Sequence, residues 1–112
     1  MSSNVLSWKD ALAKGFNPSL YPYLDVPVGE YDATLDFKIW AKKVMAISCY
    51  FTQHVTGKKI QLTVYCNEAG LYKAGNSEIN FAACEIGRMY RIEVIANQKK
   101  KVVFAHAELL SQ

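Results

Sequence analysis

The sequence predicts a mainly β domain: a small five-stranded barrel or strongly bent antiparallel sheet, preceded by a short helix and an extended arm. Three observations predict it. Five runs of strand length alternate apolar and polar residues from residue 30 onward, each run stops at turn-forming residues, and helical patterning is limited to residues 8–14 and a short stretch at Ile79, Phe81, Ala82 and Ala83 that suits either a helix or an irregular strand. Alternation of this kind belongs to a strand with one face in the core and one in water.

The helix comes first. Ser7 is placed to cap residues 8–14, with Asp10 three positions on as the acidic partner and Gly15 as the stop. Residues 16–29 carry Pro18, Pro22 and Pro27 among Tyr21, Tyr23 and Leu24, which describes an irregular arm able to lie across a core. Residues 1–29 thus form the helix and arm, and residues 30–112 the β core, of one domain spanning 1–112.

In the first strand Tyr31, Ala33, Leu35, Phe37 and Ile39 alternate with Asp32, Thr34, Asp36, Lys38 and Trp40. A turn at Ala41, Lys42 and Lys43 leads to the second, where Met45, Ile47, Cys49 and Phe51 alternate with Val44, Ala46, Ser48, Tyr50 and Thr52. Gly57 supplies the positive φ of the next turn, and Ile60, Leu62 and Val64 then alternate with Gln61, Thr63 and Tyr65. Residues 67–87 form a connector. The last two runs, 89–96 and 102–109, make a hairpin whose tip carries Lys99, Lys100 and Lys101. Tyr90, Ile92, Val94 and Ala96 take its inner face, and Val103, Ala105, Ala107 and Leu109 share one face of its second strand. On these phases Leu35, Phe37, Ile47, Phe51, Leu62, Val64, Ile92 and Val94 should be nearly buried, since a slip of one residue would turn each to solvent.

Composition narrows the function classes. With 51% hydrophobic and 21% charged residues the chain has the balance of an ordinary globular protein. No apolar run reaches the roughly 18 residues of a membrane span, and the N-terminus lacks the apolar centre of a secretion signal, so the expectation is a cytoplasmic protein without membrane attachment. Cys49, Cys66 and Cys84 are too widely spaced for a zinc site, and His54 and His106 form no metal-binding pattern. Asp32 and Asp36 on one strand stand about 13 Å apart, too far to act as acid and base on one bond. The expectation is therefore a non-catalytic protein without cofactor or metal.

The net charge of +3 is unevenly spread. Residues 37–67 contain Lys38, Lys42, Lys43, Lys58 and Lys59 and neither Asp nor Glu, a field of one sign that steers anions.

Three meandering strands, a connector, and a hairpin entered through Gly87, Arg88, Met89, Tyr90, Arg91, Ile92, Glu93 and Val94 resemble the OB-fold over residues 30–110, by element order. The resemblance implies single-stranded DNA or RNA as the ligand, its backbone in a basic groove and its bases stacked on aromatic rings outside the second and third strands. Carried onto this sequence, it selects Trp40, Tyr50 and Tyr65 as outward rings, Lys38, Lys42, Lys43, Lys58 and Lys59 as phosphate contacts around them, and Lys99, Lys100 and Lys101 as an extension of the track.

A second reading stays open beside it. Outward tyrosines are also covered by arms or by second subunits, and lysines at a hairpin tip guard a sheet edge. In this version Val44, Ala46, Val102 and Phe104 form an interface, and the protein is an assembly module that pairs as a homodimer or docks a protein partner. An accessory protein of a phage or other mobile element would suit either version.

Overall fold

Ser7 caps the helix as its position requires: its side-chain oxygen accepts from the Asp10 amide at 3.1 Å, starting α1 at Trp8–Ala13. The computed structural model describes residues 5–21, 26–41, 45–75, 77, 79–96 and 102–110. After α1 the arm makes one 3-10 turn at Pro18–Leu20, with Asn17 accepting from the Ser19 amide, and brings Tyr21 onto the sheet. Among the described residues no helix is long and apolar enough to cross a membrane.

The five strands are β1 (Gly29–Ala41), β2 (Ala46–Gln53), β3 (Lys59–Tyr65), β4 (Met89–Ala96) and β5 (Val102–Leu109). They form one sheet in the order β3-β2-β1-β4-β5, with every neighbouring pair antiparallel. The sheet is not closed into a barrel. Among the described residues β3 pairs with β2 alone and β5 with β4 alone, and the antiparallel succession makes these two edges run in the same direction. The meander, the connector and the final hairpin thus follow the order expected, and Gly57 turns between β2 and β3 with φ +71°.

β1 joins the two halves of the sheet. Its first part pairs with β4 through Thr34, and its later part pairs with β2 as far as Ala41. Between them lies a bulge: Leu35 pairs with Phe51 and Phe37 with Tyr50, so Asp36 has no opposite residue. One extra residue in a strand reverses the faces of everything beyond it. Ala33 and Leu35 therefore face the main core together with Lys38 and Trp40, whereas Phe37 and Ile39 turn to the opposite face beneath α1.

That reversal corrects three expectations. Phe37 is half-buried against a second cluster instead of filling the main core, and Lys38 and Trp40 point inward rather than outward. A second bulge acts on β5, where Glu93 pairs with His106 and Val94 with Phe104, leaving Ala105 over. Phe104, placed on an outward face by simple alternation, is for this reason buried. Its ring meets Phe51 at 6.0 Å and Phe81 at 5.5 Å within the core. The other core assignments, Leu35, Ile47, Phe51, Leu62, Val64, Ile92 and Val94, are all buried.

Among its described residues the connector forms turns and one isolated bridge, in which Tyr72 pairs with Cys66. It crosses back under β1, with the Leu35 amide donating to Arg88 and the Gly87 amide to Leu35. At Gly75 (φ +52°) it approaches β5 so closely that an added Cβ would lie 2.0 Å from the Ala105 carbonyl oxygen. Only glycine fits there.

Candidate functional site

The residues selected from the sequence do not come together as one outward face. Lys42, Lys43, Lys99, Lys100 and Lys101 lie outside the described residues, as does Val44 of the assembly reading. Lys38, Trp40, Tyr50, Lys58, Lys59 and Tyr65 fall into three groups.

Lys38 and Trp40 belong to the interior. Lys38 has no exposed surface; its ammonium donates to the Phe81 carbonyl at 2.8 Å, to Ala82 at 3.4 Å, and to Cys84. Burial pushes its pKa below the ordinary lysine value, and the nearby thiols of Cys84 and Cys49 act the other way. A lysine whose donors are spent on three carbonyls is no phosphate contact. Trp40 is half-buried against the core, with its ring edge-on to Tyr72 at 5.5 Å.

Tyr50 does lie on the face opposite the main core, but that face is covered there. Phe16 stands 4.7 Å from its ring and Tyr21 5.3 Å, and only 3% of Tyr50 remains exposed. The arm is anchored by Asp36, whose displacement from the ladder frees its carboxylate to accept from the Tyr21 hydroxyl at 3.0 Å and from Thr52. Burial, then the Asp36 charge and hydrogen bond, push the Tyr21 pKa well above the ordinary phenol value. Asp32, on the same strand, instead pairs at the surface with Arg91 at 3.0 Å. Pairwise reading of the sequence misses this cluster because its members are the bulge residue and an arm residue 15 positions away.

The third group remains outside. On β3, Ile60, Leu62 and Val64 are buried, so Lys59, Gln61, Thr63 and Tyr65 share the opposite face. Tyr65 is 61% exposed, and Lys58 in the preceding turn is exposed as well. Lys59 donates to Thr52 Oγ1 at 3.1 Å and sits 5.2 Å from the Tyr21 ring centroid, which fixes its stem while leaving further N–H donors.

No family model, curated protein or solved structure matches this chain. The chemistry of the site itself therefore carries the functional reading.

Among the described residues no three His, Cys, Asp or Glu side chains converge as a metal would require. The arrangement offers a polar, basic strip ending in one exposed ring, next to an open sheet edge. A surface of that kind suits binding.

Proposed function

We propose that the protein binds single-stranded nucleic acid, DNA or RNA, along the outer face of β3. The observation that carries this reading is the exposed Tyr65 ring at one end of a strip whose other end holds Lys58 and Lys59, with Gln61 and Thr63 between. From residue 59 to residue 65 the strip spans about 20 Å at a rise of roughly 3.3 Å per residue. That length is enough for a short single strand to place phosphates at the lysines and a base on the ring.

The element order that resembles the OB-fold supports the same ligand, and so does a stretch of 31 residues, 37–67, without one acidic side chain. Lys42, Lys43, Lys99, Lys100 and Lys101 lie outside the described residues, and we propose them as further phosphate contacts on the basis of the sequence alone. Trp40, Lys38 and Tyr50 take no part in this version, being held in the two cores.

Self-assembly through outward apolar residues is the weaker reading, because two of the residues it needs, Ala46 and Phe104, are buried. Fluorescence anisotropy with a labelled oligothymidylate at two salt concentrations tests the proposal. Tyr65→Ala should lose about 1–3 kcal/mol of binding, as for one stacked base. Replacing Lys58 and Lys59 by Gln should flatten the salt dependence by about one unit of slope for each phosphate that is no longer neutralised. Equal binding by all variants would refute it.

A further inference from the structure

We propose that the seam between β3 and β5 is a strand-addition site for an extended peptide with apolar residues alternating with acidic ones. The seam is a groove of about 450 Å³, with Gln61, Thr63 and Tyr65 on one side and Val103 and Phe104 on the other. Both strands are edges of the open sheet, and the connector residues Lys73, Ala74 and Gly75 complete the lining.

The backbone of β3 determines what fits. The Cys66 amide donates to Met45 and the Gln53 amide to Lys58, so the residues of β3 that exchange hydrogen bonds with β2 are the even-numbered ones. Main-chain groups alternate in direction along an antiparallel strand. Gln61 and Thr63 therefore direct their N–H and C=O groups into the seam, and among the described residues neither has a main-chain partner there, while at the Tyr65 end the connector joins the edge through the Cys66–Tyr72 bridge. A row of donors and acceptors at this repeat is complementary to one thing above all, another extended backbone.

Side chains set the character of that backbone. The groove floor is apolar, formed by Val26, Leu62, Val64 and Phe104, so every second side chain of an inserted strand would lie on hydrocarbon. Among the described residues Lys73 is the charged residue of the lining, with no acid beside it, and Lys59 follows on the same strand edge. The intervening side chains are therefore acidic. Main-chain bonds provide the affinity, and the apolar floor with Lys73 provides the selection.

The test uses the full chain and a fluorescent peptide of about six residues alternating Val and Asp, matched to the length of β3. Saturable binding is expected, weakened at least about tenfold when alternate peptide amides are N-methylated, which removes hydrogen bonds without touching the protein. Lys73→Glu should weaken the acidic peptide and favour the version with Lys in place of Asp. The proposal is overturned if the N-methylated peptide binds equally well, or if no binding is seen up to about 1 mM. It is likewise overturned if the protein sediments as a dimer that excludes the peptide, making a second copy the occupant, or if oligothymidylate competes with the peptide and Lys73→Glu affects only the nucleic acid.

Discussion

The ammonium of Lys38 lies 2.8 Å from the carbonyl oxygen of Phe81, 43 positions along the chain, and ties the connector to the centre of β1. Ala82 and Cys84 carbonyls complete the cage. Lys38→Met keeps much of the stem and removes the ammonium that bonds those carbonyls. The expected loss of stability is about 1–3 kcal/mol, the cost of an unsatisfied buried polar group, with the relief of charge burial partly offsetting it. Urea unfolding measures the loss, and amide exchange should show reduced protection in residues 81–88. An unchanged or higher stability would show that the cage is not a fastening.

Asp36 plays the corresponding part on the other face. Asp36→Ala removes the acceptor of both Tyr21 and Thr52. The expected cost is about 1–3 kcal/mol for the buried hydroxyls left behind. The arm should also loosen, so that amide exchange in residues 16–21 rises more than in β4. Uniform destabilisation without that local signal would contradict the anchoring role.

Much of this fold is legible as alternation, and the failures share one cause. Leu35, Ile47, Phe51, Leu62, Val64, Ile92 and Val94 are buried because a period of two persists along most of each strand. Simple alternation puts Phe37, Lys38, Trp40 and Phe104 on the wrong faces because Asp36 and Ala105 are ordinary residues, and nothing about either marks an insertion in the ladder. Tyr50 has the face that alternation gives it, yet its cover by Phe16 and Tyr21 depends on where the arm docks, a long-range fact that no local pattern carries. Tyr65 stays where alternation puts it because β3 is regular and lies at the sheet edge.

Alkaline pH should unfold the protein through its phenols and thiols. Burial pushes Tyr31 up to about 12 and lifts Tyr21, Tyr50 and Tyr90 above the ordinary phenol value, and it raises Cys49 and Cys84 in the same way. For a raised pKa the stabilisation is complete below the unfolded value, about 10 for tyrosine, and is lost as pH climbs toward the folded value. Lys38 has the opposite sign. Its lowered pKa means that the unfolded chain holds the extra proton between that value and the ordinary one near 10.5, so its contribution rises with pH there. Among the described residues the raised phenols and thiols outnumber the one lowered lysine, and the urea midpoint should fall between about pH 8 and about pH 11, more steeply in Lys38→Met. A midpoint constant over that range would contradict the assignment of these groups to the interior.

For the proposed nucleic-acid face the decisive measurement is NMR of the isotope-labelled protein, mapping oligothymidylate onto the backbone amides. Shifts should concentrate in residues 58–65, with the largest near Tyr65, while Cys49, Tyr50 and Ile92 stay unmoved beneath their covers. Tyr65→Ala should remove most of these shifts at moderate salt without unfolding the sheet. Saturation with no shift along β3, or with shifts confined to α1 and the arm, would contradict binding on this face.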